Sequence, residues 1–439
     1  MGEANGSATE ASSPRVRASG PARVCLVLAC LFALAQAFSL VKRVRDSNTD
    51  FSVFYRAAQA LDAGAGAELY SELDEPTGWL HCIPPSGMLF LLGMPLVSPP
   101  AAAAIWSLAN LALLALAIRM LSGIYARLDR QRRLMQSAAP WAAAVLLVLA
   151  SGSLQVGQFS VLFAVCWIGF LAASSRRSDC AAGLALAIPA AIKLYPLLLA
   201  IIPLLQRRWR VAVCGVLALL ALVVVIPAGV YGARFGPLTV GFVQKSILDT
   251  KGRLSINTDP NLTSNQSVDV LLIRYLTSNP TFQAKLPWFP HADLPRQAAL
   301  AGAQAFRVVV LLITLGFSWQ WLRRGRGNAR PHFASFLLLA LWCAALYLML
   351  PETKSRYCVY LFPAFLPLLA AAAAVGIRGQ RGRYAALCAL CVLCAVLAVQ
   401  FMPDVARATG VSLLAPLILW GHCQARMSGD IRRGVAAKY

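Results

Sequence analysis

Asp50 opens the segment DFSVFYRAAQAL, whose Phe51, Phe54, Tyr55 and Leu61 suit a helix lying on a membrane surface. A carboxylate at a water–lipid boundary can take a proton from a hydroxyl. Aspartate is also a favoured helix N-cap, and the two roles are compatible. His81 stands beside Pro84 and Pro85; it can bind an anion or move a proton, or be an ordinary exposed histidine. Lys193 is the single charge in GLALAIPAAIKLYPLLLAIIPLL. A lysine in that setting must snorkel, pair or face a wet cavity, and the chemistry open to it is holding an anionic lipid phosphate. Glu352, Lys354 and Arg356 crowd one short polar turn ahead of Tyr357, which reads as a charged hairpin turn or as an anion site. Gln158 follows Gly157, where the chain can turn tightly between two apolar runs. Asn265, Gln266 and Ser267 precede an amphipathic stretch carrying Arg274. Amides suit sugar hydroxyls and arginine suits phosphate, while a capped surface helix is the plainer alternative.

These groups need membrane helices to position them. The chain has 439 residues, 59% hydrophobic and 13% charged, too few charges to cover a soluble protein of that size. Apolar runs recur at roughly 20 residues, the length that crosses about 30 Å of hydrocarbon. Each must be helical, because in lipid only a helix satisfies its own backbone. The expected fold is all-α and polytopic, with about 12 spans: 22–41, 101–121, 139–154, 159–174, 180–193, 196–206, 211–231, 299–322, 333–350, 357–376, 384–401 and 410–422.

The formal charge of +22 would suggest nucleic acid in a soluble chain. Here the cations form short clusters between apolar runs, at Arg127/Arg130/Arg132/Arg133, Arg176/Arg177, Arg207/Arg208/Arg210, Arg323/Arg324/Arg326 and Arg378/Arg381/Arg383, as cytoplasmic loops do. They fall on one side only under two conditions. Residues 86–97, too short to cross, must lie at the outer interface, and 180–206 must be two short spans broken near Lys193 and Pro196. Both ends are then cytoplasmic: a disordered segment 1–21, a transmembrane domain 22–422 and a basic tail 423–439. Lys42, Arg43 and Arg45 are the exception, lying on the outer side. Two outer loops, 42–100 and 232–298, are long enough to carry function and to hold interfacial helices. The Asn261 and Asn265 sequons are a common chance match. The cysteines, Cys388, Cys391 and Cys394 included, read as apolar filler without metal partners. Every group singled out above shares the outer face.

The segments DFSVFYRAAQAL, IPPSGMLFLLGMPL followed by IWSLANLALL, GQFSVLF, AGLALAIPAAIKLYPLLLAIIPLLQRRWR and SNQSVDVLLIRYL, in that order, resemble the bacterial glycosyltransferase 87 family. The resemblance covers about residues 46–370. It implies a GT-C-type fold in the plasma membrane, with the active site facing the periplasm or exterior. It implies transfer of a sugar, mannose in the type reaction, from a polyprenyl-phosphate donor to a lipid or glycan acceptor, with inversion. Asp50 is then the catalytic base. Lys193 approaches the donor phosphate, with Arg356, Lys354 and Arg274 as further phosphate ligands. Gln158, Asn265, Gln266, His81 and Tyr357 are left to meet the sugar and acceptor. By the same analogy no metal or other cofactor is needed. Many relatives carry histidine in the loop before the tenth span, where this chain has Arg356 and Tyr357. Two rivals belong to other classes. A lipid-linked glycan transporter or flippase would need polar groups along a path to both faces. A non-catalytic scaffold would not need Lys193 in an apolar helix.

Overall fold

The computed structural model describes residues 20–46, 49–71, 73–77, 79–128, 133–248, 265–278, 292–325, 331–375, 380–401 and 413–432. The expected disordered N-terminus, the Asn261 sequon and part of the basic clusters (Arg130, Arg132, Arg326, Arg378) lie outside them.

The described chain is helical throughout except for one two-residue antiparallel pair, β1 (Leu73–Asp74) and β2 (Trp79–Leu80). The N-terminal half runs α1 (Gly20–Arg43), α2 (Asp50–Asp62), α3 (Pro85–Met88), α4 (Pro99–Leu128), α5 (Arg133–Val156), α6 (Ser160–Ser175) and α7 (Asp179–Ile192). Then come α8 (Ile201–Leu205), α9 (Trp209–Leu220), α10 (Ile226–Tyr231) and α11 (Phe235–Phe242). The remainder holds α12 (Val268–Leu276), α13 (Arg296–Gly325), α14 (Pro331–Met349), α15 (Phe362–Val375), α16 (Gln380–Phe401) and α17 (Leu414–Arg432).

Among the described residues, five helical runs are long and apolar enough to cross a membrane: Gly20–Asp46, Pro99–Tyr125, Ala138–Val156, Trp209–Leu248 and Arg296–Arg323. Seven shorter apolar helical runs accompany them. Large side chains face outward on the long runs, as lipid contact requires; Val27, Leu31 and Phe38 of α1 are all more than half exposed. The inner helices α6 and α14 are buried almost all round.

Residues 86–97 form no continuous helix. After the four residues of α3, tight helical turns at Leu89–Leu91 and Met94–Leu96 flank Gly93, which turns the chain at φ +81°. Tyr55 donates to the Val97 carbonyl at 2.7 Å, and Ser86 to that of Ala191 at 2.5 Å, so the segment folds back onto α2 and α7. The predicted break in 180–206 is also present. α7 ends at Ile192, Lys193 is extended (φ −144°, ψ 141°), and tight helical turns resume at Tyr195–Ala200 before α8. With 14 residues, α7 is about 21 Å long.

Two segments differ from expectation. The helix expected to end at 231 bends at Gly232 (φ +56°) and continues to Leu248, so the second outer loop begins as apolar helix. The last helix runs to Arg432 rather than ending near 422, because Cys423 and Met427 continue its buried face.

The molecule has two poles. At one, Arg208 of the α8–α9 turn donates to Ser174 (2.9 Å) and pairs with Asp179 (2.6 Å), joining the Arg176/Arg177 and Arg207/Arg208 clusters. Gln206 reaches Ser335 at the start of α14 at 3.1 Å, close in sequence to the Arg323 cluster. Arg177 and Arg207 close two of these turns in left-handed geometry (φ +58° and +57°). The chain thus leaves this pole at Asp179, reverses beyond Lys193 and returns at Arg208. The opposite pole gathers the ends of α1, α5 and α7 and the starts of α2, α4 and α6.

Candidate active site

The site is built around the start of α2. Thr49 caps this helix: its hydroxyl accepts the Ser52 N–H at 3.1 Å. The N-cap alternative for Asp50 therefore falls. Asp50 is the first helical residue, where the helix dipole favours an anion, and its carboxylate is left for other work. Phe51 fastens the turn. It is fully buried, with its ring 5.9 Å from Trp106, which in turn donates to the Gly157 carbonyl at 3.0 Å and meets Phe159 edge-on at 5.0 Å. Gly157 must be glycine on two counts: φ is +74°, and a Cβ there would stand 2.5 Å from the Phe51 Cβ.

The second part is the segment between α14 and α15. Arg356 approaches Asp50 Oδ2 at 2.5 Å through Nη1, and Glu352 Oε1 at 3.9 Å through Nη2. The Asp50 contact is a charge pair whose angles are not those of an aligned hydrogen bond. Lys354 closes an ion pair with Glu352. Burial alone would raise the Glu352 carboxyl, but Lys354 and Arg356 outweigh it and hold it below the usual carboxylate range. Ser153 of α5 donates to the Arg356 carbonyl at 2.9 Å, tying this segment to the pole.

Lys193 supplies the third part. Its Nζ lies 4.9 Å from the centre of the Tyr357 ring and 3.5 Å from the Tyr357 hydroxyl. Arg356 stands over the same ring, its Cζ 5.6 Å from the centre. Tyr357 stacks on Tyr360 at 5.5 Å, Tyr360 on Phe163 at 5.8 Å, and Tyr360 bonds Tyr195 (2.5 Å) and Ser160 (3.1 Å). One aromatic column therefore carries two cations. Asp50, Glu352, Lys354, Arg356 and Lys193 together hold three positive and two negative charges, a net charge of one positive. Among the described residues Lys193 pairs with no carboxylate, so the surplus charge sits on a half-buried ammonium suited to an incoming anion.

The structure brings Asp50, Lys193, Lys354, Arg356 and Tyr357 together. It places the other expected residues differently. Gln158 is buried at the α5–α6 turn, with its side-chain oxygen unbonded among the described residues. Asn265 and Gln266 dock on Thr353, the Gln266 N–H donating to the Thr353 carbonyl at 2.6 Å. Arg274 is buried, and its Nη2 donates to the Asn265 carbonyl at 3.1 Å. His81 is buried rather than exposed, its ring 5.6 Å from that of Tyr70. Sequence reasoning named Glu352 in the charged turn without giving it a role of its own, and left out Tyr195 and Tyr360; the nearest signal was Tyr195 two residues after Lys193. Among the described residues, no group of three or more His, Cys, Asp or Glu side chains is placed to hold a metal ion.

A family model, glycosyltransferase family 87, matches residues 82–341. The match takes in Gln158, Lys193, Asn265 and Arg274, while Asp50 and the 352–357 segment flank it. No curated protein matches the chain. With more than half of its length matched, and with apolar helices of membrane-spanning length, this chain belongs to glycosyltransferase family 87 and is a membrane glycosyltransferase.

Proposed function

We propose that the enzyme moves a sugar, mannose in the first instance, from a polyprenyl-phosphate donor to a hydroxyl of a lipid or glycan acceptor on the outer face of the plasma membrane. The observation that carries this reading is the Asp50–Arg356 pair beside Lys193 on the Tyr357 ring. The donor phosphate takes Lys193 and draws Arg356 from Asp50. Asp50 then accepts the acceptor hydroxyl proton. The acceptor oxygen bonds to the anomeric carbon from the face opposite the phosphate, the anomeric C–O bond breaks, and polyprenyl phosphate departs with the electron pair. Its growing charge is met by Lys193, Arg356 and Lys354. Attack opposite the leaving group inverts the anomeric centre.

Two features support a lipid donor. Leu194 and Leu197, next to Lys193, are 51% and 47% exposed, and Leu96 on the folded-back segment is 85% exposed, so apolar surface adjoins the cations. The cations also occupy the pole away from the Arg176/Arg177 and Arg207/Arg208 clusters, which by charge bias face the cytoplasm.

The test uses purified protein in liposomes with radiolabelled polyprenyl-phosphate mannose and a panel of lipid acceptors. Wild type transfers label. Lys193→Met raises the donor KM by about tenfold or more, the worth of a lost charge-assisted contact. Folded wild type that transfers nothing from any polyprenyl-phosphate sugar overturns the proposal.

A further inference from the structure

We infer that Asn265 is a positioning residue: its side-chain oxygen clips the 352–356 segment to the start of α12 and thereby sets Arg356 against Asp50 and Lys354 against Glu352. Asn265 Oδ1 accepts two backbone N–H groups, that of Ser267 at 2.9 Å and that of Thr353 at 3.1 Å. The Gln266 N–H returns a bond to the Thr353 carbonyl, so the Thr353 peptide is held on both sides. Arg274 fixes the Asn265 carbonyl from below. Asn265, Ser267 and Thr353 are all fully buried.

Thr353 lies between Glu352 and Lys354, at the centre of the charged cluster. Three residues on, the Arg356 carbonyl is held by Ser153. The segment that carries the cations is thus pinned at both ends, by α12 and by α5. Both lone-pair directions of Asn265 Oδ1 point at backbone, which leaves that oxygen unsuited to a sugar hydroxyl. Truncating Asn265 strands two buried N–H groups and loosens the segment at its α12 end.

The activity arm of the test rests on the donor proposed above; the exchange arm does not. Hydrogen–deuterium exchange is followed over peptides spanning 350–357 in wild type, Asn265→Ala and Asn265→Asp, with peptides from α14 and α15 as fold controls. A carboxylate keeps the acceptor oxygen and drops the amide N–H. The Thr353 amide exchanges on the order of tenfold faster in the alanine variant, and at the wild-type rate in the aspartate variant. In the transfer assay alanine raises the donor KM and lowers kcat while the acceptor KM stays, and aspartate recovers both. Unchanged Thr353 protection in Asn265→Ala overturns the inference. So does a selective rise in acceptor KM with Thr353 still protected, the signature of a sugar contact. If the control peptides show that alanine unfolds the protein, aspartate decides: kept protection supports the clip, and lost protection overturns it. A wild type inert toward polyprenyl-phosphate sugars removes the donor proposal and leaves the exchange result standing.

Discussion

Gly157→Ala is a small change outside the charged cluster that should disarm it. The added Cβ would stand 2.5 Å from the Phe51 Cβ and 3.1 Å from Leu40 Cδ2, where ordinary contact begins near 3.4 Å. Phe51 has nowhere to retreat, since it is fully buried with its ring against Trp106. A side chain at φ +74° costs about 1–2 kcal/mol by itself, and overpacking adds about 1–3 kcal/mol. If the clash is relieved by moving the first turn of α2, Phe51 must shift by about 1 Å, and Asp50, its neighbour in the chain, moves with it. A misplacement of that size costs about a hundredfold in rate. The assay pairs thermal unfolding in detergent with kcat/KM for sugar transfer. The expected variant is folded, less stable by a few kcal/mol, and about a hundredfold slower. Wild-type stability refutes the packing argument. Reduced stability with an unchanged rate refutes the mechanical link between Phe51 and Asp50.

Two further predictions concern the loop between α14 and α15. Tyr357→Phe keeps the ring face that carries Lys193 at 4.9 Å and Arg356 at 5.6 Å, whereas Tyr357→Leu removes it. Phenylalanine should hold the donor KM within about threefold, and leucine should raise it about tenfold or more, from roughly 0.5–2 kcal/mol for each cation–ring contact; equal effects of the two would point to the hydroxyl instead. Glu352 predicts an acid limit. Its folded pKa is lowered, so its contribution is fully present above the ordinary value of 4.5 and is lost as pH falls through the lower folded value. The unfolding midpoint of wild type should therefore fall more steeply below about pH 4.5 than that of Glu352→Gln, and parallel curves would contradict this.

How far the sequence could be read depended on the range of the interactions involved. The break at Lys193 was legible because a lone charge and Pro196 three residues later are local signals, and α7 does stop at Ile192. Residues 86–97 were legible as too short for an ordinary span, and Gly93 breaks the helix there. Asp50 was legible as the start of a helix, but the cap went to Thr49, whose hydroxyl is as good an acceptor and lies one residue earlier. The inward placement of Asn265 and Arg274 was not legible. A polar amide before an amphipathic run looks the same whether it meets a sugar or a backbone N–H 88 residues away, and only tertiary packing chooses. The same holds for Glu352, whose place between Lys354 and Arg356 depends on the course of the chain before α15. The continuation of helix past 231 was missed because glycine usually ends such runs; here Gly232 bends the helix and the apolar sequence resumes.

The most direct test of the catalytic assignment is transfer by Asp50→Asn with the donor that supports wild-type turnover. Asparagine has the same shape and cannot accept the acceptor proton. Donor KM should stay at or below the wild-type value, because the phosphate is assigned to Lys193 and Arg356 and no longer has to draw Arg356 from a carboxylate. The turnover number should fall by about a hundredfold to ten-thousandfold, the range for loss of a general base. Near-full turnover by a folded Asp50→Asn would contradict the account at its centre.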